Sequence, residues 1–172
     1  MEHEIIDIKP KVVLPVKDIR KMIMGFEQVL KNTNSAFIGD NSHCPLKHSF
    51  SDGIYVREIT IPKDTILTGK IHKHEHPNFL LKGKVMVITE NGEEILEGPC
   101  SMISPAGTKR GLYSLTEIVW TTVHLNPTNT QDLDELEELI IAPSYDEYEK
   151  YIANKKGIGH KIKKLLIKTL SK

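Results

Sequence analysis

Histidines occupy alternate positions in His72-Lys73-His74-Glu75-His76. In an extended strand, residues i and i+2 leave the same face about 6.6 Å apart, close enough for two imidazoles to converge on one ion. His72 and His76 would lie about 13 Å apart in the same geometry, so a third ligand from this segment requires a bend. Pro77 favours one, because the residue before a proline is pushed to β or polyproline conformation and His76 then ends one strand or begins the next. The segment predicts a His72/His74 pair, completed by His76 or by a side chain from another strand. The alternative is a histidine-rich surface strand that binds nothing. The expected cofactor is one divalent ion: zinc, iron, nickel or, where carboxylates join, manganese.

Further candidates follow from alternation. Trp120, Thr122 and His124 share one face of a strand, and an interior face would make His124 a fourth ligand or a proton shuttle. Asn78 shares the face of His76 and is placed to orient a ligand, whereas Trp120 is also readily explained as core. Arg110, beside Lys109, offers a planar fork for carboxylate or phosphate, with an ion pair to Glu58 or Glu117 as the alternative. Arg57 and Glu58 lie on opposite faces of one strand, so at most one enters a pocket. The substrate-binding candidates are therefore Arg110, Lys109, Asn78, Glu58 and Tyr113. No catalytic residue is assigned.

These residues need a scaffold of short strands. Residues 54–61, 66–76, 78–89, 93–96, 101–104, 111–115 and 118–125 read as strands separated by turn chemistry, and Asn91-Gly92 is a strong hairpin signal because both positions accept positive φ. Gly83 marks a further strand turn. Such spacing indicates a sandwich or barrel, most economically a small closed jelly roll with a mouth for a ligand. Val16, Ile19, Met22, Ile23, Phe26, Val29 and Leu30 repeat at helical spacing and should pack a stripe on the domain that follows. Residues 1–15 read as an arm or edge strand and 32–53 as a long loop. After Pro127, residues 132–141 and 145–154 read as short helices, with Gly157 and Gly159 before a basic amphipathic end at 161–170. The organisation expected is an N-terminal arm, helix and loop over 1–53, a barrel over 54–127 and a helical extension over 128–172.

The 172 residues suffice for one proper core. Lys plus Arg equals Asp plus Glu at 23 each, so no global field recruits nucleic acid or anionic membrane. The charge is nevertheless uneven: residues 132–149 are acidic, and 155–172 carry seven lysines and no acid. That basic helix is expected to dock on its own domain or on a second subunit; a detachable tail that meets membrane, nucleic acid or a partner protein is the sharper reading. Without a long apolar run or a signal-peptide pattern, the expectation is a cytoplasmic protein with no membrane span. Cys44 and Cys100 are too few for a disulfide scaffold. Cys44 between His43 and His48 reads as loop rather than a second metal site.

The run 54–125 resembles the cupins, a β-barrel family whose first motif places a Gly, a His-x-His pair and a Glu before a strand ending in Gly. Gly69, His72, His74 and Gly83 match in order, with His76 at the position of the Glu. The second motif reads Pro-x-Gly-x-x-His in the family; here Pro105-Ala106-Gly107-Thr108-Lys109-Arg110 puts Arg110 at the last ligand position. The resemblance implies a jelly-roll fold and homo-oligomer formation, and either three histidines of one segment replace the usual ligand set or the metal is lost. A narrower similarity, carried by 55–58, 68–76, 104–110 and 119–124, is to small cupin-like proteins of bacteriophage genomes, which would place the chain in the host cytoplasm.

Two function classes are compatible with these residues. One is a metal-dependent enzyme acting on a small anionic molecule. The other is a non-catalytic module binding a small ligand, a nucleotide or sugar, with helices for assembly. No Gly-rich phosphate loop, paired-cysteine zinc signature or nucleophile-base pair competes with them.

Overall fold

A computed structural model describes residues 15–33 and 42–170, without the side chains of 159, 160 and 162–170. Its elements are α1 (Val16–Lys31), β1 (Leu46–Ser51), β2 (Ile54–Ile61), β3 (Ile66–Thr68), β4 (Ile71–His72), β5 (His76–Lys82), β6 (Lys84–Thr89), β7 (Gly92–Glu97), β8 (Cys100–Ser104), β9 (Gly111–Ser114), β10 (Ile118–Leu125), α2 (Leu133–Ile140), β11 (Ile141–Ala142) and α3 (Tyr145–Leu170). The N-terminal arm expected over 1–15 lies almost wholly outside the described residues.

The strands pair antiparallel in the orders β1-β2-β10-β5-β8 and β3-β9-β6-β7, with β4 joined to β11 in a small ribbon. Each sheet is assembled from strands far apart in sequence. The chain crosses from β2 to β3, back to β5, over to β6 and β7, and back again through β8, β9 and β10, which is the two-Greek-key winding of a jelly roll. The fold is mainly β: a jelly roll with one helix before the barrel strands and two after them.

The inner faces carry the alternating apolar positions. Ile61, Leu80, Val85, Val87, Ile118 and Trp120 form the main core, and Cys44 and Cys100 pack against it. Each fully buried aliphatic side chain stabilises the fold by about 1.5 to 3 kcal/mol before entropy is counted. In β10 the inward residues Ile118, Trp120, Thr122 and His124 are all buried, so one strand runs from hydrophobic core to polar mouth.

Several local expectations are corrected. The strand expected over 66–76 is broken: β3 and β4 are separate, and the chain bends at Lys73 and His74 before β5 begins at His76. His76, the residue before Pro77, begins the next strand as expected, and the bend itself is held by the C-terminal extension: Lys73 N donates to Ile140 O at 2.7 Å and His72 pairs with Ile141. Strand 78–89 is divided at Gly83, whose φ of +87° only glycine adopts without strain and where a Cβ would collide with the Glu117 carbonyl. Leu46–Ser51, expected as loop, pairs along its length with β2. The short helix over 145–154 and the basic end are one helix, because an interior glycine costs only about 1 kcal/mol.

Helix α1 is seated mainly through polar contacts. Ile23 is buried, whereas Met22, Phe26 and Val29 of the expected stripe remain exposed. Arg20 grips Glu90 through Nε at 3.0 Å and Nη2 at 2.8 Å and lies 4.5 Å from the centre of the Tyr145 ring. Lys109 Nζ, almost fully buried, donates to Glu27 Oε1 at 3.0 Å and to Gly69 O at 2.7 Å. Helix α2 begins at an Asp132 cap accepting from Asp134 N and Glu135 N, and buries Leu136 and Ile140 against Tyr55. No helix among the described residues is long and apolar enough to cross a membrane.

Candidate metal centre

The C-terminal extension shapes the mouth of the barrel. Because β11 pairs with β4, His72 is held beside Ile141; Gly107 N donates to His72 O at 2.8 Å from the other side. Gly107 has φ +82°, and a Cβ there would meet the Tyr148 ring of α3 at 2.5 Å, so this turn fits under the helix only as glycine. After the bend, His76 opens β5 opposite Ser104, and His124 stands near the end of β10 opposite Tyr55.

Three elements thus bring His72, His76 and His124 together, with one ring nitrogen of each within 4.8 Å of the others. Ring centroids are 4.2 Å apart for His72–His76, 4.6 Å for His76–His124 and 5.1 Å for His72–His124. An ion bound by imidazoles at about 2.0 to 2.1 Å needs its nitrogens about 3 to 4 Å apart, which small side-chain rotations supply from this starting point.

Two buried nitrogens of the cluster, His72 Nδ1 and His76 Nε2, have no hydrogen-bond partner. Buried polar atoms are rarely left so, and unprotonated imidazole nitrogens aimed at a common point fit a cation. His76 Nδ1 lies 3.2 Å from His74 O, so a proton on Nδ1 donates to that carbonyl and leaves the Nε2 lone pair available. Thr122 Oγ1 sits 3.0 Å from His124 Nε2 and fixes that ring. Burial pushes all three imidazoles down, His72 to about 2, His124 to about 3 and His76 to about 4, reinforced for His72 and His124 by neighbouring positive groups. They are neutral at physiological pH, the form that binds metal.

His74 is not brought into the cluster. The bend turns it toward α3, where its ring meets Tyr151 edge-on at 5.6 Å and both ring nitrogens lie 3.4 Å from Tyr151 Oη. The ligand pair expected from i, i+2 spacing therefore gives way to His72 and His76, with His124 from across the sheet. The straight-strand separation that would have kept His72 from His76 is removed by the bend.

Arg110 reaches the site. Its guanidinium donates to Ser104 Oγ and lies 5.9 Å from the centre of the Trp120 ring, and its charge is felt at His72 and His76. Asn78 is buried beside them but already engaged: Nδ2 donates to His76 O and Ser104 Oγ, and Oδ1 accepts from Trp120 Nε1 at 2.9 Å. Its role is to hold the β5 end of the site in place. Lys109 is directed away to Glu27 and Gly69. Glu58 faces the other side of β2, where Thr121 Oγ1 donates to it at 3.4 Å, and Tyr113 donates to Asp64 Oδ1 at 3.0 Å on the outside of the second sheet. In the upstream stretch, His48 Nδ1 lies 2.7 Å from Tyr55 Oη, and Cys44 packs on the core.

Two residues were missed. Tyr55 stacks on His124 at 6.0 Å, and Arg57, two positions along the same inner face of β2, stands opposite Thr122. Alternation in β2 placed Arg57 and Glu58 on opposite faces but could not say which face is inner; the Tyr55, Ile59 and Ile61 series, apolar and in phase with Arg57, was the available signal.

No family model matches the chain, and no curated protein matches it. Among solved structures it is similar to a cupin superfamily protein from Desulfitobacterium hafniense, with 9% identity over 52% of this chain and 83% of that one and a TM-score of 0.43. A putative ethanolamine utilization protein Q from Salmonella typhimurium matches with 13% identity over 46% of this chain and 67% of that one, TM-score 0.41. KdgF from Halomonas sp. matches with 15% identity over 55% and 96% respectively, TM-score 0.43. The jelly-roll assignment rests on this chain's own strand order and register.

Proposed function

We propose that this chain binds one divalent metal ion through His72, His76 and His124 and uses it on a small anionic molecule at the barrel mouth. The observation that carries the reading is the convergence of three neutral imidazoles, His76 and His124 buried and His72 half-buried, two of them with an unpartnered buried nitrogen. An all-imidazole set suits zinc, iron or nickel better than manganese, which favours carboxylates. Such an ion, when bound, is a Lewis acid that polarises a carbonyl or activates water.

The chain's own residues supply the rest. Arg110 binds the anionic end of the molecule, while Ser104, Asn78 and Trp120 fix the strand that carries His76. The α2–β11 segment closes over His72 and limits water at that edge. Homo-oligomer formation and a cytoplasmic site of action, in a phage host by the narrower resemblance, belong to the same proposal.

A second reading is a binding module without turnover. It is favoured by one observation: among the described residues no carboxylate is hydrogen-bonded to the three imidazoles, and the groups around them, Arg110 and Thr122, bind and orient. Calorimetric titration of metal-free protein with zinc tests the shared premise, with one high-affinity site expected and its loss in His76→Ala. Absence of a site in the native chain contradicts both readings. With a site present, turnover of small carboxylic and phosphorylated acids separates enzyme from binder.

A further inference from the structure

Arg57 lies on the inner face of β2, in register with Thr122, the residue whose hydroxyl holds His124. Arg57 is half-buried, yet its guanidinium forms no hydrogen bond or ion pair among the described residues, and its charge is felt by both His72 and His124. The carboxylate that acts on it, Glu137, is instead paired with Lys70. Arg110 also lacks a carboxylate partner: Glu94 acts on it only at a distance, and its hydrogen bond goes to the neutral Ser104. The three imidazoles are neutral and bring no negative charge to the site.

A divalent ion in this cluster, together with Arg57 and Arg110, therefore concentrates positive charge with no carboxylate among the described residues paired directly to either guanidinium. Buried charge of one sign is costly unless paired. From this juxtaposition we infer that the ligand is a small molecule bearing two oxyanion groups, carboxylate or phosphate, one directed to Arg57 and the other to Arg110, with an oxygen toward the ion. The inference rests on the metal-binding reading and adds to it the charge of the ligand and a second anchoring residue. Guanidinium suits the task because its planar fork binds two oxygens of one group.

The test uses full-length protein loaded with cobalt(II), whose visible absorption reports its coordination, titrated separately with malonate, acetate and inorganic phosphate. Malonate is expected to perturb the spectrum at lower concentration than acetate, and Arg57→Gln to weaken malonate binding by about tenfold or more while cobalt affinity stays native. Inorganic phosphate, which carries a single group, acting better than malonate overturns the requirement for two. Acetate and malonate binding equally, or Arg57→Gln binding malonate as the native protein does, overturns it. Arg57→Lys, which keeps the charge and loses the fork, should fall between the two and serves where Arg57→Gln does not fold. If cobalt does not bind, the metal reading fails; calorimetry of malonate with the metal-free protein and Arg57→Gln then decides the arginine pair by itself, a tenfold difference supporting it and equal or absent binding in both refuting it.

Discussion

The rings of His72 and His124 lie nearly parallel, 5.1 Å between centroids and 11° between planes, although one ends a two-residue strand and the other nearly ends the long strand at the centre of the main sheet. Tyr55 continues the stack beyond His124, and His48 beyond Tyr55. What holds His72 in this column is the ribbon with β11, so the proposed metal site depends on a segment outside the barrel strands.

That dependence is testable at Gly107. Its left-handed backbone and the Tyr148 ring above it exclude a side chain. Gly107→Ala should destabilise the protein by about 2 kcal/mol or more. Tyr148→Ala should recover part of this loss, so chemical denaturation of the two single variants and the double should show clear non-additivity. Additive effects would mean that the helix does not press on this turn.

The Trp120 indole donates to Asn78 Oδ1, which is fully buried. Trp120→Phe retains most of the apolar volume but leaves that oxygen without a donor, and should cost about 1 to 3 kcal/mol in urea unfolding. A neutral result would show that Asn78 finds another donor.

Acid should loosen helix α1. Burial alone would raise the Glu27 carboxyl, but the hydrogen bond and charge of Lys109, with help from Lys31, outweigh it and hold the group below its ordinary value. A carboxyl depressed in the folded state contributes stability above its unfolded value of 4.5, and that stability is lost as pH falls through the lower folded value. Glu27→Gln should remove this acid-limb dependence and lower stability near neutrality by about 3 kcal/mol, since it leaves the buried Lys109 ammonium without its counter-ion. Unfolding measured from pH 7 to pH 3 checks both parts; parallel curves for the two proteins would refute the assignment.

Much of this architecture could be read along the chain. Strand 118–125 was legible to the residue because a β-branched and aromatic run is bounded by turn chemistry, and α1 and the hairpin at Asn91-Gly92 were equally clear. The histidine cluster was legible only in part. Which two of His72, His74 and His76 converge is decided by a bend whose cause, the Lys73–Ile140 hydrogen bond and the β4–β11 pairing, comes from far along the sequence. Arg57 was lost for a related reason: period two separates faces but does not identify the inner one. The straight α3 was hidden by glycines that read as a break and cost a helix of that length little.

Metal should stabilise the folded chain, because the cluster exists only in the native state. Zinc at about one hundred times its Kd is expected to add about 2.7 kcal/mol to the unfolding free energy. The gain should vanish in His72→Ala. An equal gain in that variant would place binding elsewhere.

The most direct measurement is metal content by plasma mass spectrometry of tag-free protein, reconstituted with zinc, iron or nickel and desalted, for the native chain, His124→Ala and His74→Ala. Near one ion per chain in the native protein and in His74→Ala, with loss in His124→Ala, is the predicted result. Retention in His124→Ala with loss in His74→Ala, or no ion in the native chain, would contradict the site built from His72, His76 and His124.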